Sequence, residues 1–200
     1  MPMICFDERN FSLRFLTMLY SYILLLDREN NIENVLEIGG GTGYLSHIFN
    51  RTNLVVKYHI IDLPLVSLIQ GYIFSILFGE NNVWFHGEPE NNNAKLFLYS
   101  PNNIEELNQI TFDVVFNQNS LVEIPIDQSQ KYVKLIEETL NNGSFISINQ
   151  SIVPGGQFSL DEIMKPSTLK LIENIPYFGE PPADLVPGIP VKYQFRHYKR

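Results

Sequence analysis

An apolar run that leads into a cluster of glycines constrains the fold of this chain more than any other feature. Residues 35–38 read Val-Leu-Glu-Ile, residues 39–43 read Gly-Gly-Gly-Thr-Gly, and a helical pattern of bulky residues follows through Ile48 and Phe49. Glycines let a backbone adopt positive φ angles and approach a ligand closely, while free N–H groups at a helix start can hold an anionic or polar group. The pattern predicts a strand, a ligand-binding loop and a helix.

Strand-like and helix-like segments keep alternating after this loop. Further strands are predicted over residues 55–61, 112–116 and 144–148, and helices over residues 64–78 and 128–140. Such alternation predicts an α/β fold with a mostly parallel sheet and helices on both faces. Ligands of such sheets bind beyond the carboxyl ends of the strands.

Other segments give weaker signals. Residues 81–86 and 95–99 are both strand-like, and we favour 95–99 as the third strand of the sheet. The pair at 142–143 is Asn-Gly, which predicts a turn. Near the end of the chain, we predict a short helix over 168–173 and a final strand over 192–198.

The amino-terminal part carries one helical pattern. Bulky residues recur at helical spacing from Phe11 to Leu26. Its apolar part is shorter than the about 20 residues that a membrane span needs, and no small-residue cleavage site follows it, so we interpret it as a buried helix. The length suits one domain, and we divide the chain into a leading helical segment at residues 1–30 and an α/β domain at residues 31–200.

Composition narrows the functional classes. The net charge is −8, from 14 basic and 22 acidic residues, and without a long basic run this argues against a nucleic-acid partner. The single cysteine, Cys5, excludes an internal disulfide and a cysteine-based zinc site within one chain. We therefore expect a cytoplasmic protein that acts on a small molecule and has no membrane partner. A homo-oligomer stays open.

The glycine loop differs from two other nucleotide-binding motifs. A dinucleotide fingerprint read from Gly39 and Gly41 needs a third glycine at position 44, where Tyr44 stands. A phosphate loop needs a Gly-Lys-Ser/Thr sequence, and this turn holds no lysine. These departures argue against the interpretation as an oxidoreductase with a nucleotide cofactor, which is kept as an alternative.

Asp62 ends the second predicted strand, 19 residues after Gly43. At the carboxyl end of a strand, a carboxylate can accept hydrogen bonds from both hydroxyls of a ribose. The alternative is that Asp62 caps the helix that begins at Pro64. We favour the ribose because the acid, the glycine turn and the second-strand acid occur in register.

Four blocks of the sequence resemble a known family. They cover residues 35–49, 58–64, 112–123 and the stretch around 145–150. In them the chain resembles class I S-adenosylmethionine-dependent methyltransferases, most closely the sugar O-methyltransferase family. The glycine block looks like motif I of the superfamily, while the sugar assignment depends on the Asp-Leu-Pro and Asn-Gln-Asn-Ser sequences. The resemblance implies a Rossmann-like methyltransferase fold, S-adenosyl-L-methionine as cofactor, and methylation of a hydroxyl of a sugar or glycan.

The resemblance also assigns residues to the cofactor. The methionine part would contact Glu37, Gly39, Gly41 and Gly43, the ribose would contact Asp62 beside Leu63, and Asn117 would form part of the site wall. Members of that family tend to be longer, with helices before the domain. A fragment or shortened form is therefore expected, and a non-catalytic methyltransferase-like binding subunit is the second alternative.

Methyl transfer to a hydroxyl needs an aligned acceptor and a group that takes its proton. Glu123 and Asn119 follow the strand over 112–116 and are the predicted catalytic residues. Their alternatives are a helix-capping or surface carboxylate for Glu123 and a turn residue for Asn119. His86 is a second candidate base, against the alternative of a packed edge residue. The sequence shows no cluster of carboxylates, so no metal site is predicted.

Overall fold

The computed structural model describes residues 3–6, 9–54, 57–150, 158–177 and 193–200. The strands are β1 (Met3–Phe6), β2 (Arg9–Ser12), β3 (Asn34–Ile38), β4 (Lys57–Ile61), β5 (Val83–Phe85), β6 (Leu96–Tyr99), β7 (Phe112–Gln118), β8 (Leu140–Gln150), β9 (Lys170–Pro176) and β10 (Tyr193–Lys199). The α-helices are α1 (Leu13–Leu26), α2 (Tyr44–Thr52), α3 (Pro64–Phe78), α4 (Ile126–Thr139) and α5 (Leu160–Met164). Short 3-10 helices cover Glu80–Asn82, Pro101–Gln109 and Leu121–Glu123.

Eight of these strands form one sheet in the order β5-β6-β4-β3-β7-β8-β10-β9. The strands from β5 to β8 in this order run parallel, whereas β10 is antiparallel to both of its neighbours. The predicted mostly parallel α/β sheet is therefore confirmed. From β3 the chain moves outward through β4 to the outer strands β5 and β6. It then crosses back to β7, on the other side of β3. This reversal marks the point at which open α/β sheets bind ligands.

Helices cover both faces of the sheet, as predicted. α1, α2 and α3 lie on one face, where Leu25 and Phe74 are among the buried residues. α4, α5 and the 3-10 helix at residues 101–109 lie on the other face, with Ile136 and Ile163 in the core. Because both faces are covered, most residues of the central strands β3, β4 and β7 are buried. None of the described helices is long and apolar enough to cross a membrane.

The leading helix α1 belongs to the same core as the sheet. It begins where the side chain of Ser12 accepts a hydrogen bond from the N–H of Phe15 at 3.1 Å, as an N-cap does. Tyr22 packs in the cluster that contains Val35 of β3. Within the predicted leading segment at 1–30, the paired strands β1 and β2 precede the helix, and the helix starts two residues later than the periodicity predicts.

Both strand-like segments after α3 are strands. β6 pairs with β4, which confirms residues 95–99 as the third strand, and β5 extends the sheet on the outer side of β6. The predicted strands at 55–61 and 192–198 correspond to β4 and β10, although residues 55–56 and 192 lie outside the described residues.

The predicted helix at residues 168–173 is wrong. Most of that segment belongs to β9, an edge strand held by antiparallel pairing with β10. The helix of this region is α5, which begins with a capping box formed by Ser159 and Glu162. The pairing of β9 with β10 is a tertiary contact, and periodicity in so short a segment does not distinguish strand from helix.

The predicted turn at residues 142–143 is also wrong, because both residues lie inside β8. At this point β8 shifts its register against β7, an irregularity of the kind that glycine often marks in a strand. A Cβ on Gly143 would lie 2.3 Å from the carbonyl oxygen of Asp113. Glycine is therefore required at this position, because the backbones of β8 and β7 lie too close for a side chain.

Candidate functional site

A cavity of about 550 Å³ opens at the carboxyl ends of β3 and β4, beside the point where the strand order reverses. Its volume lies within the range of small-molecule and cofactor sites. Loops after four parallel strands and the first turns of α4 line it: Ile38, Gly39, Ile61, Asp62, Leu63, Pro101, Ser120, Glu123, Ile124, Pro125, Gln128 and Tyr132. Four predicted site residues, Gly39, Asp62, Leu63 and Glu123, therefore share one cavity.

The glycine loop after β3 adopts a backbone that side chains disfavour. Gly39, Gly41 and Gly43 have φ angles of 76°, 54° and 72°, all in the left-handed region. A Cβ on Gly39 would lie 2.3 Å from the hydroxyl of Ser120, and a Cβ on Gly43 would lie 2.4 Å from the ring of Phe74. A Cβ on Gly41 would meet no atom within 4 Å. Packing thus requires glycine at two positions, whereas Gly41 faces open space.

Asp62 connects this loop to the start of α3. One carboxylate oxygen accepts the N–H of Gly41 at 2.7 Å, and the other accepts the N–H of Leu63 at 2.7 Å. Leu63 holds the capping position of α3, and no side chain caps that helix, so the structure does not support the capping alternative for Asp62. Each carboxylate oxygen has more than one lone pair. The half-buried carboxylate can therefore accept further hydrogen bonds from a ligand in the cavity.

Gln70 completes the attachment of the loop, and the sequence analysis missed it. Its side-chain amide donates to the carbonyl oxygen of Gly41 at 2.9 Å and to Asp62 at 3.4 Å. The residue is buried, and it stands in the otherwise strongly apolar helix α3. An amide inside an apolar helix, two turns after Asp62, was the signal that could have identified it.

Glu37 lies beneath the glycine loop and does not line the cavity. Its buried carboxylate accepts a hydrogen bond from the hydroxyl of Tyr58 at 2.9 Å. A Cβ on Gly40 would lie 3.3 Å from the same oxygen, which places the acid directly under the loop. Burial, with a smaller contribution from the charge of Asp62, raises the pKa of Glu37 to about 7, against the hydrogen bond from Tyr58. In this position the acid supports the loop.

Asn117 is fully buried behind the cavity wall. Its amide nitrogen donates to the carbonyl oxygen of Ile38 at 2.9 Å and to the hydroxyl of Ser120, while its oxygen accepts from Asn149 at 2.7 Å. The hydroxyl of Ser120 donates to the same Ile38 oxygen at 2.9 Å and lines the cavity. These bonds join the ends of β3, β7 and β8, so the wall facing the cavity is Ser120, within the Asn-Gln-Asn-Ser sequence.

The two predicted catalytic residues differ in position. Asn119 has a φ of 57°, its N–H donates to the carbonyl oxygen of Ile148 at 3.0 Å, and its side chain is absent from the cavity lining. This geometry favours the turn alternative for Asn119, because asparagine tolerates the left-handed region. Glu123 is exposed at the cavity rim, at the end of a 3-10 turn.

Two residues of α4 face the cavity and were not predicted. Gln128 and Tyr132 are four positions apart, which places both on one side of the helix. Burial, together with the charge of Asp62, raises the pKa of Tyr132 to about 12. The phenol is therefore protonated at neutral pH and can donate a hydrogen bond. Their spacing on a helix that follows a ligand-binding strand end was the available signal.

The remaining candidates lie elsewhere. His86 follows the edge strand β5 and pairs with Glu106 at 2.7 Å, outside the cavity lining. The edge-residue alternative for His86 therefore fits its position better than a catalytic role. Within the described ranges, no group of three or more His, Cys, Asp or Glu side chains could hold a metal ion.

No family model matches the sequence, and no curated protein matches it either. Solved structures do match. The mitomycin 7-O-methyltransferase MmcR superposes with a TM-score of 0.61 at 10% identity, over 94% of this chain and 54% of that protein. Magnesium protoporphyrin IX methyltransferase from Synechocystis, with bound SAM, gives 0.60 at 11% identity over 94% and 80%. An S-adenosylmethionine-dependent methyltransferase from Clostridium acetobutylicum gives 0.60 at 13% identity over 94% and 92%.

These similarities establish the fold of this chain. This chain spans only about half of the mitomycin enzyme (54%), and the cyclase SpnF matches with a TM-score of 0.64 at 11% identity over 90% and 80%. A shared fold can host different reactions, so activity has to be argued from the site. The strand order, the helices on both faces and the solved neighbours together show that the chain has the Rossmann-like fold of class I S-adenosylmethionine-dependent methyltransferases.

Proposed function

We propose that this chain is an S-adenosylmethionine-dependent methyltransferase that binds its cofactor in the cavity beyond β3 and β4. The observation that carries the proposal is the arrangement of Gly41 and Asp62. An open left-handed glycine lies next to a carboxylate that lines a cavity of about 550 Å³ at the switch point of the sheet. Such a site offers close backbone approach and a hydroxyl acceptor together.

The lining of the cavity fits the parts of this cofactor. Asp62 would accept the ribose hydroxyls, and the apolar side chains of Ile61 and Leu63 with Pro101 would contact the adenine. Gly39 and Ser120 line the part of the cavity next to β3, where the methionine part would lie. The polar groups are few and the apolar surface is larger, as in most small-molecule sites.

Residues at the rim supply the acceptor side of the reaction. When bound, S-adenosylmethionine provides the electrophilic methyl group. Glu123 is exposed at the rim and would accept the proton of an acceptor hydroxyl. The protonated phenol of Tyr132 and the amide of Gln128 would orient polar groups in the cavity. Holding the acceptor in line with the methyl group is the main contribution required of the chain.

The acceptor we propose is a hydroxyl of a sugar or glycan, and the site of action is the cytoplasm. The sugar assignment rests on the resemblance of the Asp-Leu-Pro sequence at 62–64 and the Asn-Gln-Asn-Ser sequence at 117–120 to the sugar O-methyltransferase family. The solved neighbours have other substrates in their names, among them mitomycin, magnesium protoporphyrin IX and geranyl diphosphate. The cofactor proposal therefore stands separately from the sugar proposal.

Isothermal titration tests the cofactor first. The purified chain is titrated with S-adenosylmethionine and with S-adenosylhomocysteine, and we expect both to bind with micromolar dissociation constants. Absence of binding to a folded chain would overturn the cofactor proposal. Sugars, nucleotide sugars and glycans are then incubated with the chain and S-adenosylmethionine, and mass spectrometry detects the added methyl group. Cofactor binding without methylation of any of these acceptors would overturn the sugar assignment and favour a non-catalytic binding subunit.

A further inference from the structure

Helix α3 exposes an apolar face that the described part of the chain leaves uncovered. The helix contains no Asp, Glu, Lys or Arg in its 15 residues. Its exposed side carries seven large apolar side chains: Leu65, Leu68, Ile69, Tyr72, Ile73, Ile76 and Leu77. A contiguous exposed apolar surface of this kind often marks an interaction site. We call these seven residues the α3 face.

The size of the α3 face matches a protein interface. Four of its residues are at least 60% exposed, and Tyr72 is 70% exposed. With roughly 200 Å² for a fully exposed large side chain, the face amounts to on the order of 800 Å². The largest apolar patch on a typical monomer is about 300–600 Å², and each partner of a standard interface buries about 800 Å².

The surface around α3 combines a ridge with grooves, which are the two parts that helix packing requires. α3 forms a ridge with a groove on each side: one groove of about 160 Å³ lies against α1 and α2, and the other, of about 410 Å³, lies against β5. The first is lined by Phe15 and Tyr44, and the second by Gly71 and Phe85. A ridge beside grooves is the arrangement by which helices of two copies interdigitate, and two-fold symmetry lets each copy supply both parts.

The charges beside the two grooves are opposite. On the α2 side, the guanidinium of Arg51 lies 5.4 Å from the ring centre of Phe78, at the end of α3. On the β5 side, Glu80 and Glu88 line the groove. If two copies pack with their α3 helices parallel, the basic side of each copy faces the acidic side of the other. Charge complementarity of this kind favours one orientation of the partners.

We propose that the α3 face is the interface of a homodimer, in which two α3 helices pack against each other. The chain carries a net charge of −8, yet the α3 face carries none, so a second copy meets no like charge at the centre of the contact. A membrane is the poorer occupant, because a helix that binds a lipid surface has a basic polar face and an acidic protein is repelled by anionic lipid. The proposal does not depend on the methyltransferase activity.

Analytical ultracentrifugation of the whole chain tests the proposal. At micromolar concentration we expect a species of twice the 23.1 kDa chain mass. Tyr72→Lys and Ile76→Asp each change an exposed residue, so both variants should keep the circular dichroism of the wild type and raise the dimer dissociation constant at least tenfold. Ile172→Asp is the matched control, because Ile172 is 53% exposed on β9, away from α3. It should remain dimeric.

A charge exchange then tests the orientation. Arg51→Glu alone, and Glu80→Lys with Glu88→Lys, should each weaken the dimer, and the triple variant should recover the wild-type constant within about threefold. A monomeric wild type at 100 μM, or folded Tyr72 and Ile76 variants that dimerise as well as the control, would overturn the proposal. Flotation of the wild type with phosphatidylcholine vesicles would also overturn it, because the α3 face would then bind lipid. Failure of the exchange alone overturns the parallel orientation.

Discussion

The buried Glu37 carboxyl should make this protein less stable as the pH rises toward neutrality. Burial under the glycine loop raises its pKa from 4.5 to about 7. Between these values the folded chain keeps a proton that the unfolded chain releases, so the contribution is present at low pH and is lost as the pH passes through the folded pKa. Each pKa unit corresponds to about 1.4 kcal/mol, so the free energy of unfolding should fall by about 3 kcal/mol across this window.

Glu37→Gln is the perturbation that isolates this effect. Glutamine keeps an oxygen that can accept the hydrogen bond of Tyr58, but it does not ionise. Urea unfolding followed by circular dichroism, repeated from pH 4.5 to 8, gives the free energy of unfolding of each protein. The difference between variant and wild type should move by about 3 kcal/mol in favour of the variant as the pH rises. The slope is the test, because any constant effect of the substitution cancels.

Glu90→Gln provides the control for that experiment, since Glu90 is an exposed acid. Its pH profile should run parallel to that of the wild type. If the profile of Glu37→Gln is also parallel to the wild type, the reasoning is refuted. The carboxyl would then ionise in the folded chain as easily as in the unfolded one.

Three further predictions concern the proposed cofactor site. Gly41→Val should weaken S-adenosylmethionine binding at least tenfold in calorimetry. Gly87→Val is the control, because Gly87 is equally open and has a φ of 95°. It should lose as much stability as Gly41→Val but bind the cofactor as the wild type does. Equal affinities would contradict the role of Gly41. Asp62→Asn should cost about 1–3 kcal/mol of cofactor binding free energy through weaker hydrogen bonds. If the variant loses thermal stability but binds the cofactor as the wild type does, Asp62 only supports the loop. Glu123→Gln should lower kcat about 100-fold with cofactor affinity unchanged; an unchanged kcat would exclude it as the base.

The parts of the fold that local sequence determines were predictable. The strand–glycine loop–helix unit and the strand ending at Asp62 each depend on neighbours within a few residues, and both were confirmed. β9 was not predictable in this way, because its strand conformation depends on pairing with β10, about 20 residues later in the chain. The glycine at 143 is similar, since the backbone it accommodates belongs to β7.

The candidate site shows the same division. Gly39, Asp62, Leu63 and Glu123 line one cavity, because the ends of parallel strands meet at one edge of a sheet. The sequence predicted Glu37 among these residues. It could not show that the carboxylate packs beside Tyr58, beneath the loop and away from the cavity. Gln70 of α3, and Gln128 and Tyr132 of α4, carried local signals but were not assigned to the site. Local spacing shows which residues share a helix face, but it does not show how the helix docks on the sheet.

Gly71 has a consequence for how this protein can change over evolutionary time. A Cβ at this position of α3 would lie 1.8 Å from the ring of Phe85 on β5, so the helix rests on the strand at the one residue without a side chain. The two positions therefore form a size-matched pair. In homologous sequences, a larger residue at position 71 should occur only with a smaller one at position 85, and this covariation should identify relatives in which α3 lies equally close to the sheet.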